Sequence, residues 1–431
     1  MEYLEKNIEY MERDEIDQLQ LERLQATLNR VYKNVSHYRK TFTSIGFMPE
    51  DLKSVKELEQ LPFTTRQDLK DNYPYGMFAV PLREVVRLHS PAISFDKPIV
   101  MGLTVNDLKQ WSRLIARNLK AIGLTKDDVV HLALPFRKMS STFGIKLGTE
   151  QIGASVIPIS DGKFCAQAKI MRDFRTTVLI TIPPFGLGLI RAMEAQGIDP
   201  HSLSLKHGIF GFESWSDETR HRLESKMHIT ATDMYGLTEM ASPGVAFECL
   251  SKSGLHINED QFIPEIIDTT TLKPLPPGHF GELVLTSISK EASPLIRFRT
   301  GDITALNYGT CDCGRTHCRM SRIKKRCDDV VVMRGICVIP DHVGFILKEH
   351  VGHIPNYQLI VERIDDQDKL TVLMEISDTT FFDEMKAQRK LMDELHYELS
   401  EFLGFEVAFR LVEPGALAKE KRVIDRRIAG I

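Results

Sequence analysis

The sequence predicts an α/β protein with a large N-terminal domain of mostly parallel sheets covered by helices, followed by a small α+β domain. Between residues 85 and 290, short apolar runs alternate with helical stretches, which is typical of parallel strands joined by helices. After residue 325 the pattern changes to short strands around one long amphipathic helix. We therefore place the two domains at residues 1–325 and 326–431.

The individual elements follow from the spacing of apolar residues. Leu21, Leu24, Leu28 and Val31 recur at helical spacing, so residues 4–45 are predicted to be helical, with short helices around Pro62. The predicted strands of the large domain are VVHLAL, ASVIPI, TTVLITI, HGIFGF and GELVLTSI, and its clearest helices are LKQWSRLIARNLKAIG and LIRAMEAQG. The small domain has the predicted strands DVVVMRGICVIP, YQLIVERI, KLTVLMEI and VAFRLVEPG, and the predicted helix FFDEMKAQRKLMDELHYELSEFLG.

Composition excludes several classes of protein. The 431 residues are 42% hydrophobic and carry a net charge of −4 with both signs interspersed, so we expect no nucleic-acid partner and no membrane partner. The N-terminal stretch MEYLEKNIEYMERDEIDQLQ lacks the features of a signal peptide, and no apolar run approaches the ~20 residues that span a bilayer. A cytoplasmic location is expected. Three of the seven cysteines lie in CDCGRTHC. In a cytoplasmic protein, such clustering favours metal binding over disulfide bonds.

The stretch MYGLTEM (234–240) follows a predicted strand and suits a nucleotide site. Tyr235 could stack on a flat base beside the turn at Gly236, and Thr238 could bond a phosphate oxygen. Glu239 could hold Mg²⁺, which prefers hard oxygen ligands. The alternative is an ordinary glycine turn with exposed polar residues, and this stretch alone does not decide between them.

Two later stretches favour the nucleotide site. RFRTGDITAL (297–306) is interpreted as a TGD turn that ends a strand, which places Asp302 to accept hydrogen bonds from two ribose hydroxyls. In RIKKRCDDVVVMRG (322–335), Arg326 could contact ribose or phosphate. Lys419 and Lys421 lie near the C-terminus, where a solvated run of charge is the simpler interpretation for either lysine taken alone.

The order of these motifs resembles the adenylate-forming superfamily and, within it, the phenylacetate–coenzyme A ligase family. The supporting stretches are LPFTTRQDLKDNYPYGMFAVP, GLTVNDLKQWSRL, GASVIPIS, MRDFRTT, FGFESWSDETR, MYGLTEM, LHINEDQFIPEIID, LIRFRTGDIT, RIKKRCDDVVVMRG and KRVIDRR. The resemblance implies a large adenylation domain and a small mobile C-terminal domain. It also implies that a carboxylic acid and ATP–Mg²⁺ form an acyl-adenylate and pyrophosphate, after which the acyl group passes to coenzyme A. Aromatic or arylacetic acids are the implied substrates, and a homodimer formed through the N-terminal helices is compatible with the sequence.

The resemblance also assigns roles to individual residues. Glu213 and Tyr235 would lie by adenine, with Gly236 beside them, while Asp302 and Arg326 would hold the ribose. The remaining assignments are Thr238 at phosphate, Glu239 at Mg²⁺, Asp328 at the hinge, Arg334 in cofactor binding, and Lys419 between the carboxylate and the α-phosphate, with Lys421 as the fallback. A lysine there would offset charge developing on the transferred phosphoryl group.

Close relatives within the family carry a zinc ion held by two segments that correspond to FECLSKSGLH and CDCGRTHC. The resemblance therefore implies a ligand set of Cys249, His256, Cys311 and Cys313, with Cys318 or His317 as a substitute for one of them. A complete Cys/His set leaves no position open for water, so the zinc would be structural. The alternative is a group of reduced, buried thiols.

The phosphate-binding loop of the family is altered here. The family pattern SSGTTGKP corresponds to SPAISFDKP, in which Ile93 and Asp96 replace both glycines and only Ser94 and Lys97 keep useful chemistry. A phosphate cradle uses successive N–H groups at positions where glycine relieves steric limits. Lys325 and the stretch RKMSSTFGIKLG (137–148) also depart from the family pattern.

Three interpretations of the loop stay open: slow turnover with ATP, use of a preformed acyl-adenylate, or noncatalytic binding. The sequence favours an AMP-forming acid–thiol ligase. One rival function is adenylation without transfer to coenzyme A. The other is a pseudoenzyme that binds an adenylate or acyl ligand.

Overall fold

The computed structural model describes residues 4–90, 97–134, 141–159, 164–240, 242–364, 367–375, 385–417 and 421–427, with the backbone alone at 385–387. These residues form two compact units, which meet in the chain between Cys327 and Asp328. Among the described helices, none combines the length and the apolar character needed to cross a bilayer.

The first unit contains nine α-helices and fifteen strands within its described ranges. The helices are α1 (Lys6–Glu9), α2 (Arg13–Asn34), α3 (Ser36–Ser44), α4 (Arg66–Asp71), α5 (Val105–Ala121), α6 (Ser141–Ile152), α7 (Phe164–Asp173), α8 (Pro183–Gln196) and α9 (Asp217–Met227). The strands are β1 (Arg87–His89), β2 (Met101–Leu103), β3 (Val129–Leu132), β4 (Ser155–Ile157), β5 (Val178–Thr181), β6 (His207–Gly211), β7 (Thr230–Tyr235), β8 (Ala246–Glu248), β9 (Leu255–Ile257), β10 (Phe262–Ile267), β11 (Gly281–Ser287), β12 (Phe298–Thr304), β13 (Leu306–Asn307), β14 (Arg319–Met320) and β15 (Lys325–Arg326). Short 3₁₀ helices span Pro49–Asp51, Val55–Gln60, Leu82–Glu84 and Pro200–Ser202.

A nine-stranded sheet in the order β13-β14-β9-β8-β7-β6-β5-β3-β4 forms the centre of this unit. Its strands β3 to β7 are parallel to one another, as the alternation of apolar runs and helices predicts. The other four strands pair antiparallel, so the parallel part is confined to one half of the sheet. This arrangement places the end of β7 next to the turn into β8.

A second sheet, β10-β11-β12-β15, is antiparallel, and β1 and β2 form a further two-stranded antiparallel sheet. Helices α2 and α3 pack their apolar stripe into the same core as this second sheet, through fully buried side chains such as Leu24, Leu28 and Phe42. The predicted long N-terminal helix is therefore divided into three helices, whose second and third segments meet at Val35.

The second unit has its own hydrophobic core. Its elements are β16 (Val331–Met333), β17 (Ile336–Val338), α10 (Pro340–Val351), β18 (Tyr357–Ile364), β19 (Gln367–Glu375), α11 (Met385–Leu403), β20 (Val407–Val412) and β21 (Val423–Asp425). Strands β20, β19, β18 and β21 form one sheet in that order. The predicted strand DVVVMRGICVIP is a hairpin, because Arg334 and Gly335 both take positive φ angles at its turn. The predicted fold class, a large α/β domain with a small α+β domain, is confirmed.

Candidate functional site

Three residues proposed for the nucleotide site meet in the first unit. The hydroxyl of Tyr235, at the end of β7, donates to Oδ2 of Asp302 across 2.7 Å. Arg326 donates from Nη1 to the other oxygen of the same carboxylate and from Nη2 to the carbonyl of Thr300 at 2.8 Å. Burial, followed by the nearby Asp302 carboxylate, raises the pKa of Tyr235 well above its ordinary value. The phenol therefore remains protonated and acts as the donor.

Pairing between β12 and β15 explains why Asp302 and Arg326 are close. Asp302 lies directly opposite Arg326 in this antiparallel pair. The TGD segment was predicted to be a turn that ends a strand, and that prediction is wrong, since β12 continues through it from Phe298 to Thr304. Gly301 has a φ of +80° and lies in β12 where its register with β11 shifts, so it accommodates a bulge within β12.

Glu213 lies two residues beyond the end of β6, whose last residue pairs with Met234 near the end of β7. Phe212 precedes it with a φ of +68°, which is uncommon for an aromatic residue and marks a sharp change of chain direction. Trp215 fixes this segment by donating from its indole nitrogen to Oδ2 of Asp233, on β7, at 2.9 Å. Burial, followed by the neighbouring Glu248, raises the pKa of Asp233 to about 8. The segment that carries Glu213 is thus tied to the strand that carries Tyr235.

Glu239 is buried, and its carboxylate is already paired with a cation. Nε of Arg66, which opens α4, lies 3.0 Å from Oε1 of Glu239, and the guanidinium also stands over the ring of Phe298 at 5.8 Å. Hard cations such as Mg²⁺ prefer oxygen ligands of the kind that the Glu239 carboxylate offers. Sequence reasoning did not single out Arg66, because no local spacing relates α4 to a residue that follows β7.

A small cavity of about 40 Å³ lies behind the Thr238–Met240 turn. Its lining is partly apolar, from Trp111 and Met101, and partly polar, from His89, Thr238 and Lys290. Burial lowers the pKa of Lys290 to about 8, whereas the carboxylates of Asp107 and Glu239 act in the opposite direction. Burial, followed by the charges of Arg87 and Lys290, lowers the pKa of His89 to about 4, so its imidazole is neutral near pH 7.

The four residues of the implied zinc set lie together. The ligand atoms of Cys249, His256, Cys311 and Cys313 are all within 4.8 Å of one another, and all four residues are buried. Cys249 follows β8 and His256 lies in β9, while the loop between β13 and β14 carries the other two. Because β14 pairs with β9, with Arg319 opposite His256, that loop is held against the two upstream ligands.

The spacing of these atoms fits a tetrahedral metal ion. Zinc–sulfur bonds of ~2.3 Å at tetrahedral angles place two sulfur atoms about 3.8 Å apart. The Sγ atoms of Cys249 and Cys311 are 3.8 Å apart, and Sγ of Cys313 is 3.3 Å from Nε2 of His256. Nδ1 of His256 donates to the carbonyl of His317 at 3.2 Å, which leaves Nε2 as the ring nitrogen that faces Sγ of Cys313.

Hydrogen bonds within this group also favour the ionised form of one of its thiols, that of Cys313. A hydrogen bond from Cys249, and then one from His256, hold the pKa of the Cys313 thiol well below its ordinary value. The two suggested substitutes lie outside the group: the backbone N–H of Cys318 donates to Glu259 at 2.6 Å, and burial lowers the pKa of His317 to about 4.

The other candidate residues are placed differently. Ser94 and Lys419 lie outside the described residues, as does most of the altered loop, and Lys97 is exposed in a segment with no helix or strand. Asp328 begins the second unit, where its carboxylate accepts from the N–H of Val330. Arg334 is engaged within that unit, since it donates to the carbonyl of Asp368 at 3.0 Å.

Comparison with known proteins identifies the family. Residues 105–289 match the family model of the AMP-binding enzymes, and residues 335–427 match that of the AMP-binding enzyme C-terminal domain. The phenylacetate-coenzyme A ligase of Aromatoleum evansii is 40% identical over 427 residues, which cover 97% of this chain and 96% of that protein. The Escherichia coli K12 protein of the same name is 38% identical over 422 residues, which cover 96% of this chain and 95% of that protein.

Solved structures agree on the fold. A crystal structure of 2-hydroxyisobutyryl-CoA ligase with 2-HIB-AMP and CoA, in its thioesterification state, has a TM-score of 0.91 and 23% identity, covering 98% of this chain and 92% of that chain. A malonyl-CoA ligase complex with methylmalonyl-CoA and AMP has a TM-score of 0.56 and 15% identity, covering 78% of this chain and 71% of that chain. At these identities the likeness shows the fold alone. The near full-length relatives at 38 and 40% identity decide the family: the chain belongs to the phenylacetate–coenzyme A ligase family of AMP-binding enzymes, and it is an adenylate-forming acid–thiol ligase.

Proposed function

We propose that this enzyme activates an aromatic or arylacetic acid with ATP and Mg²⁺ and transfers the resulting acyl group to coenzyme A. The observation that carries the proposal is the convergence of Tyr235, Asp302 and Arg326 from three separate strands. An aromatic ring beside a carboxylate that can accept from two hydroxyls suits a nucleoside. The substrate class rests on the relatives of known name, since it is the acid that those proteins are named for.

The adenylation step joins two anions. A carboxylate oxygen of the acid bonds to the α-phosphorus of ATP while the bond to the pyrophosphate oxygen breaks, so negative charge must be offset where it develops. Thr238 would supply a hydroxyl to phosphate, and Glu239 would hold the Mg²⁺ ion that compensates charge on the triphosphate. The family resemblance gives Lys419 the role of pairing its ammonium with the carboxylate and the α-phosphate.

The glycine-free loop makes the use of ATP the first point to test. ATP–pyrophosphate exchange with Mg²⁺ is measured across a panel of aryl and arylacetic acids. Exchange that depends on one acid supports adenylation and identifies the substrate class. An absence of exchange across the panel, together with no ATP binding by calorimetry, overturns the proposal and favours a protein that binds a preformed adenylate.

A second measurement separates ligation from adenylation alone. Acid-dependent exchange without a coenzyme A thioester would support the rival function, adenylation without thiol transfer. For Lys419, the variant Lys419→Ala should lose exchange and still form thioester from synthetic acyl-adenylate. Lys421→Ala is its control, and it should keep both activities. If Lys421→Ala alone loses exchange, the assignment moves to Lys421.

We also propose that Cys249, His256, Cys311 and Cys313 hold a structural zinc ion. The support is their mutual approach within 4.8 Å and their burial. Metal analysis of the purified protein should find one zinc per chain, and Cys311→Ser should lose it and melt at a lower temperature. Cys165→Ser, at an exposed cysteine outside the group, is the control. A metal-free protein of unchanged stability after Cys311→Ser would overturn this proposal.

A further inference from the structure

Lys290 donates from Nζ to the backbone carbonyl of Glu239 at 3.0 Å in the protein interior. Only 9% of Lys290 is exposed. Its carbonyl partner belongs to the turn that carries Thr238, and the same turn is closed by a hydrogen bond from the N–H of Met240 to the carbonyl of Leu237 at 2.9 Å. Lys290 therefore contacts the backbone of the turn that presents two proposed phosphate-site residues.

Hydrogen bonds fix the backbone segment from which the Lys290 side chain extends. Asp107, near the start of α5, accepts from the N–H groups of Glu291 at 2.7 Å and Ala292 at 3.0 Å, so the two residues that follow Lys290 are pinned. Asp107 also caps its own helix by accepting from the N–H of Thr104 at 2.9 Å. The lysine thus reaches from a fixed segment, along the wall of the cavity, to the Glu239 peptide.

Stability alone does not account for a lysine here. Burying an ammonium group costs free energy, whereas an apolar side chain of similar volume would fill the same space without that cost. The cavity beside Lys290 is lined by apolar groups such as Trp111, Met101 and Met240, which would accept a methionine. What a methionine could not do is hold the Glu239 carbonyl.

Glu239 is consequently held from two sides. Arg66 fixes its carboxylate, and Lys290 fixes its carbonyl. With both ends of the residue restrained, the direction of its carboxylate and the position of the adjoining Thr238 hydroxyl are determined before a nucleotide arrives. Preorganised groups of this kind contribute to catalysis because they need not reorient during the reaction.

We propose that Lys290 is a positioning residue for adenylation, which orients the Thr238–Glu239 turn through the Glu239 carbonyl. The proposal rests on the proposed function, since it assigns that turn to the phosphates of ATP. It concerns only the first half-reaction, because acyl transfer from a finished adenylate involves no pyrophosphate departure.

The test compares Lys290→Met, Lys290→Arg and the control Lys146→Met, whose lysine side chain on α6 is 38% exposed and pairs with Glu150. In Lys290→Met, kcat/KM for pyrophosphate exchange should fall roughly 10- to 100-fold, as expected when reacting groups are misplaced. Thioester formation from synthetic acyl-adenylate should stay within about twofold of the wild type. Lys290→Arg should recover much of the exchange, and Lys146→Met should match the wild type.

A second readout does not depend on activity. Hydrogen exchange of the backbone amides at 237–240 should be roughly tenfold faster in Lys290→Met than in the wild type, since the turn has lost a restraint. If the wild type shows no pyrophosphate exchange, the proposed function fails, and with it the role of Lys290 in adenylation. Amide hydrogen exchange then shows separately whether Lys290 restrains the 237–240 turn. Unchanged amide exchange, or an equal loss of both half-reactions together with a lower melting temperature, would show a purely structural role and overturn it.

Discussion

Nε of Arg315 donates to Oε2 of Glu9 at 2.6 Å, and the side chains of both residues are 1% exposed. Arg315 comes directly after the segment that carries Cys311 and Cys313, whereas Glu9 lies in the first helix. Two further contacts join the same segments: the N–H of Thr316 donates to the carbonyl of Glu9 at 3.1 Å, and the hydroxyl of Tyr10 donates to the carbonyl of Cys313 at 3.4 Å. The cysteine loop therefore holds the N-terminal segment.

Breaking this pair should release that segment. In Arg315→Ala the Glu9 carboxylate is left buried without its partner, which costs about 3–5 kcal/mol in comparable pairs. We expect a lower melting temperature and rapid tryptic cleavage after Lys6 or Arg13. Asp17→Asn, which removes an exposed partner of Arg13, is the control and should change neither.

The double variant Glu9→Gln with Arg315→Met tests whether the unpaired Glu9 carboxylate causes the loss of stability in Arg315→Ala. It removes both charges, so it should be more stable than Arg315→Ala if the unpaired carboxylate is responsible. Unchanged N-terminal proteolysis in Arg315→Ala would show that other contacts hold the segment. Under the zinc proposal, a chelator should produce the same cleavage in the wild type.

Arg66 and Glu239 should be energetically coupled. Arg66 is 22% exposed at its side chain and Glu239 is 6% exposed, so solvent screens this pair less than a surface pair. A double-mutant cycle with Arg66→Gln and Glu239→Gln, measured by urea unfolding, should give a coupling energy of about 1–3 kcal/mol. The exposed pair Arg172–Asp173, changed to Gln and Asn, is the matched control, expected near zero. Equal coupling energies in the two cycles would contradict a specific interaction between Arg66 and Glu239.

Asp302 should distinguish ribose from deoxyribose. In Asp302→Asn the carboxylate that Tyr235 and Arg326 contact becomes an amide, which cannot accept from both hydroxyls of a ribose and keep those partners. We expect ATP binding, measured by calorimetry, to weaken by about 10-fold, corresponding to ~1.4 kcal/mol. The preference for ATP over 2′-deoxy-ATP should also disappear. Tyr235→Phe, which keeps the ring, is expected to lose less affinity and to retain that preference. If Asp302→Asn still preferred ATP to 2′-deoxy-ATP, the ribose would not contact Asp302.

The titration of Asp233 should make the free energy of unfolding fall as pH rises. Its pKa is raised to about 8 by burial and by Glu248, whereas the unfolded chain has an ordinary aspartate pKa near 3.9. The folded state therefore retains a proton that the unfolded state has lost, so this contribution is complete below about pH 4 and disappears as pH approaches 8.

Urea unfolding of Asp233→Asn between pH 5 and pH 8 checks this. The variant should lose less unfolding free energy over that interval than the wild type, because the amide does not titrate. Asp127→Asn, at an exposed aspartate, should follow the wild-type curve. A variant with the wild-type slope would assign the pH dependence to other groups.

Much of the scaffold could be predicted from local sequence. The strands around residues 130, 180 and 209 were identified because buried parallel strands are continuous apolar runs. The helix that ends at Gln196 was recognised by its glycine, and Gly197 does take the left-handed conformation there. The TGD segment was wrongly predicted to be a turn. A glycine in a β-bulge and a glycine in a turn cannot be distinguished by sequence when the partner strand is unknown.

The sequence by itself determined the family, the fold class and the identity of the residues that can carry chemistry, because motif order and apolar periodicity are properties of short stretches of chain. Only the tertiary structure decided which of them meet. Strand pairing brings Asp302 to Arg326, and β9 next to β14 brings His256 to the cysteine loop. The same packing revealed Arg66 and Lys290 around Glu239, which no spacing in the chain relates. Contacts between residues far apart in sequence depend on sheet order and buried packing, and neither is encoded in any one local segment.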